Sequence, residues 1–112
     1  MREPDARANH RSGYNCAQSV TAAFAEELGV SRDSAASSAP RPRSEGGKCG
    51  AYLAGCQLLS RLKPDAVEAF KARFLEENGA VDCVRLRLAG KPCNDLVGCA
   101  ARLVEELAGP PR

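Results

Sequence analysis

The sequence lacks the features that define several large classes of protein. It has no Trp, one His, and no pair of cysteines in CxxC spacing. No apolar run approaches the roughly 20 residues that a membrane-spanning helix needs. The missing CxxC excludes a thioredoxin-type redox pair and a zinc-ribbon knuckle. With His10 as the single histidine, metallohydrolase and Cys–His nucleophile mechanisms lack their usual parts.

The chain also lacks a strong excess of either charge. It has 16 Lys and Arg against 14 Asp and Glu, a net charge of +2, with both signs interspersed. Neither nucleic acid nor an anionic membrane is therefore expected as a partner. Residues 1–10 contain no apolar stretch of the kind found in secretory signals. We therefore expect a cytoplasmic location and no membrane insertion.

Cysteine, in contrast, is abundant, with six residues in a chain of 112. A chain of this length forms one domain, here 1–112, and can bury a workable core without covalent crosslinks. In a reducing cytoplasm, a dense set of cysteines more often forms a metal or redox site than a disulfide framework. The cysteines are therefore the main candidates for function.

The spacing of apolar residues predicts an all-α fold. No stretch shows sustained alternation with β-branched residues, so we expect a compact bundle of four main helices and one short helix. Asn15 is the expected N-cap of the first helix, and Pro64, Asp82 and Pro92 are expected to open the last three. The residues expected to end helices are Gly29, Gly79, Gly90 and the run Gly109-Pro110-Pro111. The predicted main helices span about 16–28, 48–62, 64–78 and 92–108, and the short helix spans about 83–89.

Two segments show no helical pattern. Residues 31–47 are rich in Ser, Pro and Gly and are predicted to form a long loop between the first two helices. Within it, Arg41-Pro42-Arg43 is interpreted as solvated loop. Residues 1–11 are expected to be frayed, which leaves His10 outside any site.

Four of the six cysteines fall at the start of a predicted helix. Free backbone N–H groups and the positive end of the helix dipole favour the thiolate there, the form that binds metal and attacks disulfides. Lys48 and Lys91 should add to this bias, and Asp82 should oppose it. Separations of 33, 34 and 10 residues mean that the four can meet only through tertiary folding. The candidate cofactor-binding and metal-binding residues are Cys16, Cys49, Cys83 and Cys93.

Cys56 and Cys99 lie in the middle of predicted helices, where backbone N–H groups are already paired. Cys56 follows Cys49 by seven residues, about 10 Å along a helix, which is too far to share one metal ion. Free cysteine is commonly buried as a small apolar residue. We therefore predict that Cys56 and Cys99 are core residues without a role in the site.

Four segments of the chain resemble the cysteine blocks of the C_GCAxxG_C_C family of redox-active proteins. They are Gly13-Tyr14-Asn15-Cys16-Ala17-Gln18, Gly46-Gly47-Lys48-Cys49-Gly50-Ala51, Asp82-Cys83-Val84-Arg85-Leu86 and Cys93-Asn94-Asp95-Leu96-Val97. The four invariant cysteines of the family would fall on the same four cysteines that the predicted helix starts indicate. A similar domain ends the split-Soret cytochromes, where it is thought to hold a two-iron, two-sulfur cluster. The resemblance therefore implies a cysteine-ligated iron–sulfur site.

The resemblance is imperfect at one position of the Cys-Gly-Ala-x-x-Gly motif. The final Gly of the motif would fall on Ala54, and Gly55 comes one residue late. If that Gly allows close packing beside the site, the geometry of the site is expected to differ in this chain.

The leading hypothesis is a small protein in which the four cysteines ligate an iron–sulfur cluster, most simply of the 2Fe–2S type, for electron transfer or redox sensing. One alternative is metal-free thiol–disulfide cycling, with Cys83 and Cys93 as the candidate pair. Another is structural Zn held by the same four cysteines. No catalytic residue is assigned, so an electron carrier or sensor is favoured over a stand-alone enzyme. The redox partner protein is not identified, and a homo-oligomer remains open.

Overall fold

Helices form the regular structure of the protein. A computed structural model describes residues 2–109, and apart from one isolated bridge between Lys48 and Asp82 it contains no β-structure in that range. The prediction of an all-α fold is confirmed. The helices are α1 (Arg2–Arg11), α2 (Cys16–Ala23), α3 (Ala25–Leu28), α4 (Arg32–Ser37), α5 (Ser44–Gly47), α6 (Gly50–Leu62), α7 (Val67–Asn78), α8 (Cys83–Leu88) and α9 (Cys93–Ala108).

The N-terminal segment is a helix, so the expectation that residues 1–11 are frayed is wrong for the described residues 2–11. α1 packs against α2 and α9. It buries Ala6 completely and Asn9 almost completely, and Asn9 Nδ2 donates to the carbonyl of Ser19 at 3.2 Å. Arg2 pairs with Glu27 at 2.8 Å, which ties the start of α1 to α3. α1 is thus stabilised by tertiary packing. The sequence of a short polar helix does not reveal such packing.

The predicted first helix is broken at Phe24, whose backbone is not helical, so that α2 and α3 are separate. Phe24 is only 1% exposed, and the break is consistent with turning this large side chain into the core. The predicted loop 31–47 also contains regular structure, since Ser31 caps α4 through the backbone N–H of Ser34 at 3.2 Å. The following turn α5 is irregular, because Arg43, Glu45, Gly46 and Gly47 all have positive φ.

The core lies between α2, α6, α7 and α9. Tyr52 of α6 packs edge-on against Phe74 of α7 with ring centroids 5.3 Å apart, and Phe70 lies 6.0 Å from Tyr52. Burying large aromatic side chains contributes much of the stability of a small core. Among residues 2–109, no helix combines the length and the apolar character needed to cross a membrane.

The remaining helices begin and end close to the predicted positions. Pro64 opens a single 3-10 turn before α7, and Gly79 ends α7 in the left-handed conformation that Gly adopts without strain. α9 ends at Gly109. Pro110 and Pro111, which were also predicted to stop this helix, lie outside the described residues.

Candidate four-cysteine site

Four helix starts meet at one pocket of about 240 Å³. Asn15 caps α2, and the capping box that it forms with Gln18 places Cys16 at the first helical position. Cys83 and Cys93 likewise begin α8 and α9, and Cys49 is the N-cap of α6. The cysteines that line the pocket are Cys16, Cys49, Cys83 and Cys93. The structure thus brings together the four cysteines that the sequence singled out.

The backbone fastens the start of α6 to the segment that leads into α8. The N–H of Cys49 donates to the carbonyl of Val81 at 2.8 Å, next to the bridge between Lys48 and Asp82. This pairing holds Cys49 and Cys83 at the same end of the molecule, although they are 34 residues apart in the sequence.

The starts of α2 and α6 meet at Gly50, the glycine of the Cys-Gly-Ala motif. A Cβ at this position would lie 2.5 Å from the Sγ of Cys16 and 3.2 Å from the backbone N of Ala17. Real Cβ atoms essentially never come within 3.0 Å of another atom, so a side chain at position 50 would force the Cys16 sulfur to move and would crowd the start of α2. Gly50 therefore allows Cys16 to lie against the start of α6.

Among residues 2–109, three cationic side chains and no carboxylate line the pocket. The cations are Arg43, Arg87 and Lys91, and the apolar wall includes Leu86 and Leu96. Clefts whose walls carry one sign of charge attract ligands of the opposite sign, and low-dielectric walls strengthen this effect. The pocket is therefore suited to thiolates or to a centre with net negative charge.

The thiols of Cys16 and Cys49 do not have the lowered pKa values that their helix-start positions predicted. Burial raises the pKa of the Cys49 thiol to about 11. Burial and, to a smaller extent, the neighbouring Cys93 raise the pKa of the Cys16 thiol. Backbone N–H groups at the helix starts, among them those of Ala51 and Tyr52, do favour the thiolates, as expected. The expectation is wrong for Cys16 and Cys49 because the loss of hydration outweighs these N–H groups.

The flanking charges do not all act as predicted. Lys91 lines the pocket, but Lys48 lies in the wall of a separate open pocket beside α6. Asp82, which was expected to oppose the Cys83 thiolate, has its carboxylate 3.6 Å from the Nε of Arg85. An ion pair of this kind offsets part of the carboxylate charge.

Cys56 and Cys99 lie away from the pocket of the four cysteines. Both are partly buried against the core, and burial raises the pKa of each thiol. Cys56 lies in the wall of the separate pocket with Tyr52 and Lys71. The Sγ of Cys99 is 3.5 Å from the amide nitrogen of Asn78 and 3.8 Å from Arg102. Their exclusion from the site remains a prediction that substitution can test.

The structure adds pocket residues that the sequence analysis had set aside. His10 and Arg43 both line the pocket, contrary to the interpretation of residues 1–11 as frayed and of 41–43 as solvated loop. The Nδ1 of His10 lies 3.4 Å from the amide nitrogen of Asn94, which itself donates to the carbonyl of Arg7 at 3.1 Å. Neither segment carries a local signal for this placement, because both reach the pocket through tertiary packing.

Ala54, which replaces the final Gly of the motif, is fully buried in the core and is not part of the pocket wall. Its neighbour Gly55 meets α7, where a Cβ would lie 2.1 Å from the ring of Phe70. The close helix packing that a glycine permits is therefore present one residue further along α6, on the side of Phe70.

A single metal ion needs three or four protein ligands around one point. In the part of the chain that the structure describes, no three side chains among His, Cys, Asp and Glu are grouped closely enough to hold one ion. The six cysteines are free thiols. The four pocket cysteines therefore share a cavity, but as thiols they are not drawn together around one point.

Comparisons with known proteins agree with the sequence pattern. Residues 14–107 match the family model C_GCAxxG_C_C, which carries the description "Putative redox-active protein". Comparison with curated proteins and with solved structures gave no significant match. α1, including His10, precedes the matched residues, whereas the four pocket cysteines lie within them. Because the match spans most of the 112 residues, the chain belongs to the C_GCAxxG_C_C family.

Proposed function

We propose that the protein holds a two-iron, two-sulfur cluster through Cys16, Cys49, Cys83 and Cys93 and serves in electron transfer or redox sensing. The observation that carries the proposal is the convergence of these four cysteines, from four separate helix starts, on one pocket. Such a cluster, when bound, accepts and releases single electrons. Membership of a family described as redox-active supports a role of this kind.

The donor set fits the cluster. Four thiolates are the ligands that two-iron clusters take, two at each iron. The pocket, at about 240 Å³, has room for the few atoms of a cluster core. Each of the four thiols also has at least one of the others as an electrostatic neighbour, since Cys93 acts on Cys16, and both Cys16 and Cys83 act on Cys49.

The surrounding residues have identifiable tasks in such a site. The backbone N–H groups of Ala17, Gly50 and Ala51 favour the thiolate of Cys16, and donors of this kind tune the potential of a cluster. Arg43, Arg87 and Lys91 offset the negative charge of four thiolates. Leu86 and Leu96, which are 1% and 4% exposed, keep water from the inner wall.

The raised thiol pKa values also bear on assembly of the site. Metal ligands must lose their protons, so loading releases protons and is favoured at higher pH. Neutral, buried thiols are poor nucleophiles, because the thiolate is the attacking form. Cys16 and Cys49 are thus better suited to ligation by a metal, whose charge stabilises the thiolates, than to metal-free disulfide exchange. The proposal includes a cytoplasmic location, because free thiols persist in that reducing compartment.

The proposed cluster is tested by elemental analysis. Iron, acid-labile sulfide and zinc are measured per chain on anaerobically purified protein, together with the visible absorption spectrum and its response to dithionite. We expect iron and sulfide in equal amounts and a coloured protein that bleaches on reduction. Zinc in place of iron would establish the structural-metal alternative. Metal-free protein, from cells competent in cluster assembly, that gains a disulfide on oxidation would establish thiol–disulfide cycling.

A further inference from the structure

The outer face of α8 carries an exposed apolar pair beside the four-cysteine pocket. Val84 is 63% exposed and Leu88 is 84% exposed, and their spacing of four residues places them side by side on one helix face. Leu86, which is buried, and Cys83 and Arg87, which line the pocket, lie on the inner side of α8, whereas Val84 and Leu88 are exposed. Single exposed apolar residues are ordinary, but two adjacent ones next to a functional pocket call for an explanation.

The same segment has charges of one sign. Residues 83–94 contain Arg85, Arg87 and Lys91 and no carboxylate. The nearest preceding acid, Asp82, has its carboxylate 3.6 Å from Arg85, and the next one along the chain, Asp95, pairs with Arg7 at 2.9 Å. The apolar pair therefore lies in a segment whose charged side chains are all cationic, and the acids on either side in the sequence are engaged.

This surface also lies in the segment between two ligands of the proposed site, one of which is exposed. Cys83 begins α8 and Cys93 begins α9, so the exposed face of α8 lies between them in the sequence. Cys93 is exposed, whereas Cys49 is only 4% exposed. Of the four proposed ligands, Cys93 is therefore the one most open to solvent, and it follows Leu88 by five residues.

We propose that Val84, Arg85 and Leu88, here called the α8 patch, form the docking surface for a one-electron carrier protein with an acidic face. The proposal rests on the cluster proposed above. In the complex, one electron passes from the reduced carrier to the oxidised cluster. The carrier is oxidised and the cluster reduced by one electron, and no bond is made or broken. The reverse transfer uses the same surface.

The charges favour such a carrier over a second copy of this chain. In a symmetric dimer the same patch meets itself, so Arg85 and its neighbouring cations would face their own copies. Like charges brought together across an interface oppose association. An acidic face instead meets opposite charge, which speeds encounter and sets orientation. The small apolar pair suits the small interfaces of transient electron-transfer complexes.

Binding is tested first, with a plant-type ferredoxin as the acidic probe and a basic cytochrome c as the opposite probe. Amide chemical shifts of the full-length protein are followed by NMR during each titration. We expect the ferredoxin to shift the amides of residues 84–91, with affinity falling as salt rises. Arg85→Glu and Leu88→Ser should each weaken binding by about tenfold, as expected when a charge or an apolar anchor is lost from a small interface.

Lys63→Glu is the matched charge control. It makes the same change in net charge as Arg85→Glu at another exposed position, at the far end of α6 from Cys49, and it should leave the affinity within about twofold if docking is local. Equal weakening by both variants, shifts confined to another face, tighter binding of the cytochrome, or no binding of the ferredoxin would overturn the docking surface. So would a dimer that Leu88→Ser dissociates, measured by sedimentation.

Electron transfer is tested on cluster-loaded protein by stopped-flow reduction with the same ferredoxin. The second-order rate should fall with salt and with Arg85→Glu, while the iron content and spectrum of the variant stay unchanged. A rate insensitive to both would overturn the proposal. The titration does not need the cluster, so its result separates failure of the docking surface from failure of the proposed cofactor, which the iron and sulfide content reports.

Discussion

Gly50 lies directly against Cys16, since a Cβ on Gly50 would stand 2.5 Å from the Cys16 sulfur. The contact joins the start of α6 to the start of α2, and it explains in physical terms why a glycine follows Cys49. A side chain at position 50 would push the Cys16 sulfur away from its present place against the start of α6.

Gly50→Ala should therefore damage the site more than the fold. The added methyl forces Cys16 or the start of α2 to move, and we expect iron per chain to fall by at least about half, because cluster ligands tolerate little displacement. Iron, sulfide and far-ultraviolet circular dichroism are measured together.

Gly29→Ala is the control for stability. Gly29 has φ of 72° and open space around it, so the substitution introduces backbone strain of about 1 kcal/mol away from the site. Its iron content should match that of the wild type. A Gly50→Ala protein with full iron and an unchanged spectrum would contradict the importance of the contact.

The six cysteines should divide into four that the cluster needs and two that it does not. Substitution of Cys16, Cys49, Cys83 or Cys93 by Ser removes a ligand, and each variant should lose most of its iron and its redox-dependent spectrum. Cys56→Ser and Cys99→Ser are matched controls with the same chemical change in α6 and α9, and we expect both to keep the iron. A normal cluster after loss of any of the four, or a lost cluster after loss of Cys56 or Cys99, would contradict the division.

Ala54→Gly restores the motif glycine and should not improve the site. Ala54 is fully buried in the core and takes no part in the pocket wall, so the iron content should stay the same. The free energy of unfolding should fall by about 1 kcal/mol, because Gly in a helix interior is less favourable than Ala. Urea unfolding and metal analysis of the same preparation check both effects. An increase in iron per chain would show that position 54 acts on the site.

The metal-free protein should lose stability as the pH rises from about 9 to about 11. Folding raises the pKa of the Cys49 thiol from 9.0 to about 11. The contribution of the neutral thiol to the free energy of unfolding is therefore complete below pH 9, and it disappears as the buried thiol is forced to ionise. The loss is about 2 to 3 kcal/mol. Urea unfolding across this range, with Cys49→Ala as reference, isolates the effect. The variant should show a shallower decline, and parallel curves would contradict the raised pKa.

Local sequence signals were sufficient to predict where the cysteines lie within the helices. Asn15, with Gln18 three residues later, caps α2, and Pro92 precedes α9, so Cys16 and Cys93 stand at helix starts for reasons contained in a few neighbouring residues. The same is true of Gly79, which ends α7. These interactions span one helical turn, which is why the pattern of single residues can reveal them.

Other features depend on residues distant in the sequence. Residues 1–11 were predicted to be frayed, but α1 is held by packing of Ala6 and Asn9 against α2 and α9. Arg43 enters the pocket from a segment with no regular pattern, through a backbone of positive φ. Such placements follow from contacts that no local window contains.

The sequence by itself determined that the protein is helical, that its cysteines divide into four at helix starts and two in mid-helix, and that the four carry a family motif. Caps, glycines and apolar spacing act over a few residues, so they can be recognised before the chain is folded. Only the tertiary structure decided that the four thiols meet in one cationic pocket. It also decided that burial makes Cys16 and Cys49 harder to ionise, because the loss of hydration depends on everything packed around them and outweighs the N–H groups of their own helices.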